Sequence, residues 1–174
     1  MRRRVTPAPS DSHTFTLVST APCPGPDNTA FTINGSQLRA AQVFNYEVEN
    51  SYLNRVIDRR VGIPISLSVV YLLIGKRLGL PLYGIGMPGH FLVKYESDRY
   101  KIFIDCFNGG ALLTDKNCAR FLTEAGYGFE DKYLQKSPVR AILSRMIKNL
   151  LAIYSKAGDE AKTTRLTKFI EIFG

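Results

Sequence analysis

With 174 residues, 45% of them apolar and 22% charged, the chain can form one domain with a proper core plus a small appendage, and it is too apolar to be disordered throughout. Its net charge of +8 is unevenly placed, because nine basic residues from Lys132 onward face three acids. Such a segment can meet nucleic acid or an acidic partner, or be the solvated face of a helix. Cys23, Cys106 and Cys118 are an odd count without metal-ligand spacing, which excludes a disulfide scaffold and a zinc finger and fits a reducing, cytoplasmic setting. No apolar run is long enough to span a membrane.

Residues 1–45 read as an atypical segment without a packed core. Five of the nine prolines lie before residue 36, among many Ser and Thr and without sustained periodicity. The start, Met1-Arg2-Arg3-Arg4, is compatible with a plain tail, a non-native start or an organellar leader. From Tyr46 the pattern sharpens into a core over 46–131. Asn50 or Ser51 caps a helix running to Arg60, and Gly62 breaks it. Pro64 suits the first turn of the next helix, Ile65 to Leu78, which is apolar nearly all round and therefore belongs inside the fold. Three strands follow, Leu82 to Met87, His90 to Tyr95 and Tyr100 to Ile104, with Glu96-Ser97-Asp98-Arg99 as a hairpin connection. Asn108-Gly109-Gly110 is a turn. Thr114 or Asp115 caps a helix with Cys118, Phe121, Leu122 and Ala125 on its inner face. Residues 132–174 form a helical hairpin turning at Ala157-Gly158-Asp159, striped by Ile142, Met146, Leu150 and Tyr154 on one helix and by Leu166, Phe169 and Phe173 on the other. It has the shape of one tetratricopeptide unit.

Chemistry concentrates where His90 opens one strand and Asp105 closes its neighbour. Asp105 can accept from one imidazole nitrogen and leave the other for a cleft, which is the base and orienter of a triad. His13, the other histidine, lies in the tail. Pro88-Gly89 places His90 by a tight turn. Asn50, Gly62, Pro64, Gly89 and Cys106 are expected around that cleft. One histidine and one aspartate are too few for a metal site, and no glycine-rich phosphate loop is present, so no cofactor is expected.

The strings Asn50-Ser51-Tyr52-Leu53-Asn54, Gly62-Ile63-Pro64-Ile65-Ser66, Pro88-Gly89-His90-Phe91 and Ile104-Asp105 resemble the SirB-type family. Arg145-Met146-Ile147-Lys148-Asn149-Leu150 resembles that family's junction into its helical repeats. The family has a transglutaminase-like core followed by tetratricopeptide-like helices, and the same core occurs in an animal F-box protein. The resemblance implies an α+β, papain-like fold: a small antiparallel sheet on a buried central helix, plus the C-terminal hairpin. In the wider superfamily a cysteine opens the central helix. Here that position matches Pro64, while His90 and Asp105 match the other two members.

Proline carries no nucleophile. The chain therefore reads as a regulatory or protein-binding module with a protein or peptide partner. The competing reading is a hydrolase or acyltransferase in which His90 and Asp105 activate Ser66 or Cys106. A third is nucleic-acid binding by the basic C-terminal helices. Ser66 lies two residues past Pro64, well around the helix axis. Cys106 follows Asp105 and so faces the opposite side of the strand. Cys118 belongs to an apolar stripe.

Overall fold

In the computed structural model, residues 3–5, 15–17, 31–33, 36–41 and 47–173 are described. Cys23, His13 and most of the expected tail lie outside them. Within the N-terminal segment, β1 (Arg3–Val5), β2 (Phe15–Leu17), β3 (Phe31–Ile33) and β4 (Ser36–Gln37) pair antiparallel in that order. β5 (Arg39–Ala40) pairs in parallel with β6 (Val61–Gly62). Leu38 and Ala41, which flank β5, are buried, so the packed part of the chain also draws on residues ahead of Tyr46.

A 3-10 turn over Val48–Asn50 precedes α1 (Leu53–Arg59). Neither Asn50 nor Ser51 caps α1, contrary to the sequence expectation. The turn uses them first, with the Ser51 N–H on the Val48 carbonyl, so the N-cap falls on Tyr52 without a side-chain bond. Arg60 ends α1 in the left-handed region at φ 58°. α2 (Pro64–Arg77) then starts with proline at its first position, where a missing N–H costs nothing. Leu67, Val70, Tyr71 and Ile74 of α2 pack with Val56 and Val93 into one core cluster. The helix is apolar on all sides but not buried on all sides, since Leu73 is 49% exposed.

The main sheet runs β10-β9-β8-β7, all antiparallel, from β7 (Leu82–Met87), β8 (His90–Glu96), β9 (Lys101–Asp105) and β10 (Ala111–Leu113). β10 follows the predicted Asn108-Gly109-Gly110 turn and is a strand that the sequence analysis does not predict. Alternation splits the sheet between two layers. Val93 faces α2, whereas Ile85, Met87, Leu92 and Phe103 join Cys118 and Leu122 of α3 (Asp115–Glu124). Thr114 caps α3 reciprocally with Asn117. Phe121 and Ala125, expected inward with Cys118 and Leu122, are exposed.

α4 (Val139–Lys156) and α5 (Glu160–Phe173) form the C-terminal hairpin. β7 is an edge strand, and edge strands need their outward backbone groups covered. Ser137 covers them: its N–H donates to the Gly84 carbonyl at 2.8 Å, and its Oγ accepts the Gly86 N–H at 3.0 Å. Ile142 of α4 then packs with Phe91 and Ile65. Close approach requires a glycine at position 84, because a Cβ there would lie 2.8 Å from Ile142 Cδ1 and 2.9 Å from Phe91 Cζ. Gly84→Ala is accordingly expected to lower stability by about 1–3 kcal/mol and to speed amide exchange at Ser137 and the start of α4. An unchanged melting transition would mean that α4 does not rest on β7. Among the described residues no helix is long and apolar enough to cross a membrane.

Candidate functional site

Two strand ends build the site. The tight turn at Pro88-Gly89, with Gly89 at φ +70°, delivers His90 as the first residue of β8. Val93 pairs with Ile104, so Asp105 sits one step beyond that pair and diagonal to His90 on the same face. The His90 Nε2 lies 2.9 Å from Asp105 Oδ2, with both side chains buried. Asp105 also accepts the Phe107 and Asn108 N–H groups at 3.1 Å each and Asn108 Nδ2 at 2.8 Å. Burial raises the Asp105 carboxyl, but His90, by hydrogen bond and electrostatic attraction, and the Asn108 bonds outweigh it and hold the group below its usual value. Phe107 and Phe121 flank the imidazole, with ring centroids 6.2 and 5.3 Å away. The expected juxtaposition of imidazole and carboxylate is thus present, and Nδ1 has no hydrogen bond among the described residues.

A cleft of about 960 Å³ opens beside this pair, with His90 and Gly89 on one wall and Ile63, Pro64 and Ile65 at the start of α2 on another. The third wall is α4. Arg145, Asn149, Ile153 and Lys156 lie on one helical face and line the cleft. Arg145 also grips the strand that carries His90: Nη1 donates to the Met87 carbonyl and Nη2 to the His90 carbonyl, each at 2.9 Å, bracketing the turn. Its guanidinium lies 5.6 Å from the Phe91 ring.

Of the sequence candidates, His90, Asp105, Pro64 and Gly89 come together. The remaining four do not line the cleft. Ser66 is fully buried and its hydroxyl is committed, donating to the Asn50 carbonyl at 2.7 Å and accepting the Ile63 N–H at 3.0 Å. Cys106 faces α2, inside the cluster of Leu67, Val70 and Val93, and burial pushes its thiol well up. Asn50 turns its carbonyl inward to Ser66 and Ile63. Gly62 is packed so closely that a Cβ would lie 2.8 Å from Ser66 Oγ. Cys118 is in the α3 cluster with its thiol raised to about 11, chiefly by burial. Arg145, Asn149 and Ser51 are cleft residues that the sequence reading did not assign. The i, i+4, i+8 spacing of Arg145, Asn149 and Ile153 is the signal that marks the α4 wall. Among the described residues no group of three His, Cys, Asp or Glu could hold a metal ion.

Residues 31–148 match the family model described as the transglutaminase-like superfamily. That span takes in the sheet, α2, α3 and the first half of α4, including Arg145. A UPF0162 protein of Xylella fastidiosa (strain 9a5c) is 40% identical over 126 residues, covering 69% of this chain and 45% of the relative. F-box only protein 21 of Homo sapiens is 34% identical over 140 residues, covering 74% of this chain and 21% of the relative. The chain therefore spans less than half the length of these curated relatives. No solved structure matches.

Proposed function

Because the chain belongs to the transglutaminase-like superfamily, we propose that it is a member without the usual thiol, a regulatory module that binds a peptide segment in the cleft between His90, Pro64 and α4. One observation carries this reading: the imidazole is paired with a carboxylate and lines a cleft that also holds a proline at the position of the nucleophile, with no cysteine among its lining residues. A paired base without a nucleophile can still donate and accept hydrogen bonds. The open cleft offers apolar walls at Ile63, Phe91 and Ile153 beside polar groups at Ser51, Asn149 and Arg145, a mixture suited to a peptide. The finer assignment to the SirB-type branch, with α4 and α5 as a tetratricopeptide-like hairpin in a cytoplasmic protein, belongs to the same proposal and rests on the motifs around Gly62-Ile63-Pro64 and Arg145.

The enzymatic alternative gains no support, since Ser66 and Cys106 are buried and directed elsewhere. Nor does nucleic-acid binding: Lys132, Lys136 and Lys162 are in ion pairs with Glu130, Glu96 and Asp159, and Arg145 turns inward. The test is peptide selection from a random display library, followed by mapping of selected peptides by NMR. The expected result is shifts at His90, Asn149 and Ile153, lost in Ala152→Trp, which fills the cleft from an exposed position on α4. Peptides indifferent to Ala152→Trp would overturn the reading. So would a fluorophosphonate that labels Ser66 in the folded wild type but not in His90→Ala.

A further inference from the structure

The charge inside the cleft is unbalanced. Arg145 is half-buried, and its two hydrogen bonds go to backbone carbonyls. Among the described residues no carboxylate pairs with it, and burial alone pulls its guanidinium below the usual value. A cation withdrawn from water without a counter-charge is costly, and two neutral carbonyls offset only part of that cost. Two of its five N–H donors are engaged, which leaves donors for a bidentate partner. Glu47, the acid that lines the cleft, is taken up by Arg59.

Two independent features favour a negative ligand in the same cleft. Ser51 lines the cleft, the residue is 5% exposed, and its buried Oγ has no hydrogen-bond partner. A buried hydroxyl left in that state is an open donor. Ile63, Pro64 and Ile65 bring the start of the fourteen-residue helix α2 to the cleft, where orphan N–H groups and the helix dipole favour an anion.

We propose that the peptide taken by this cleft presents a carboxylate, which Arg145 and Ser51 hold beside His90. This inference rests on the peptide-binding reading and names the chemical group recognised. The carboxylate can come from a free chain terminus or from an acidic side chain. Three probes separate these sources: acetyl-Ala-Ala with a free carboxylate, acetyl-Glu-Ala-amide and the neutral acetyl-Ala-Ala-amide. Each is titrated into the full chain while the Arg145 Nε–H and His90 ring resonances are followed.

At least one acidic probe is expected to shift both resonances saturably and to weaken with added salt, while the neutral amide leaves them in place. Ser51→Ala and Arg145→Gln are each expected to weaken the acidic probe about tenfold or more, and Arg145→Lys, which keeps a cation, to recover part of that loss. Binding of the neutral amide as tight as that of the acids overturns the carboxylate inference and leaves the peptide-binding reading intact. The same holds if display-selected peptides fill the cleft while no acidic probe does. A folded Arg145→Gln that binds the acids like wild type also overturns it.

Discussion

Phe91→Ala is expected to lower the free energy of unfolding by about 3–5 kcal/mol. Phe91 is 1% exposed and joins three elements: Ile65 of α2, its own strand β8, and Ile142 of α4. The Arg145 guanidinium lies over its ring, and Gly84 leaves room for its edge. Removing the ring opens a cavity that cannot collapse cheaply, because its strand is fixed there by the ladder to β7. It also removes the platform under Arg145, so the loss should reach the cleft. Chemical denaturation of wild type and variant measures the cost, and amide exchange of α4 reports the release of the hairpin. A cost below about 1 kcal/mol would mean that the hairpin is not built into the core.

Asp105→Ala is expected to cost a similar amount, about 3–5 kcal/mol at neutral pH. Four donors converge on this carboxylate: His90 Nε2, the Phe107 and Asn108 N–H groups, and Asn108 Nδ2. Alanine leaves the buried imidazole and the half-buried Phe107 N–H unmatched, while the donors of exposed Asn108 can turn to water. The folded carboxyl titrates below its unfolded value of about 4. Its contribution is therefore fully present above that value and is lost as pH falls through the lower folded one. The stability gap between wild type and Asp105→Ala should be widest near neutrality and narrow below about pH 4. A gap that widens on acidification would show that the carboxyl is not held ionised by its neighbours.

The architecture was legible where periodicity was strong. The apolar helix after Pro64, the alternation through β8 and β9, and the glycine and proline boundaries all predict elements that the structure contains, while the transglutaminase-like α+β class comes from the resemblance carried by Gly62-Ile63-Pro64, Pro88-Gly89-His90 and Ile104-Asp105. The pair His90 and Asp105 was legible because a short hairpin must bring its strand ends together. What sequence could not supply was depth. Ser66 and Ser51 are one kind of residue near one helix start, yet the Ser66 hydroxyl is spent on Asn50 while that of Ser51, at the wall of the cleft, has no partner. That difference depends on the 3-10 turn over Val48–Asn50, which carries no distinct sequence signal. Arg145 was hidden for another reason. In a helix rich in Lys and Arg it reads as one more solvated charge, and only the docking of α4 on Gly84 and Gly86 turns it inward.

The most direct test restores the missing thiol. In a Cys23→Ser background, Pro64→Cys is compared with Pro64→Cys combined with His90→Ala, by the rate of iodoacetamide labelling at pH 6.5 followed by intact mass. A thiol at a helix N-terminus beside a carboxylate-oriented imidazole should react about tenfold faster or more than the same thiol without the imidazole. Without Pro64→Cys, the protein should show no fast label. Equal rates with and without His90, or a fast His90-dependent label in the protein that retains Pro64, would contradict a paired imidazole and carboxylate facing a proline across an open cleft.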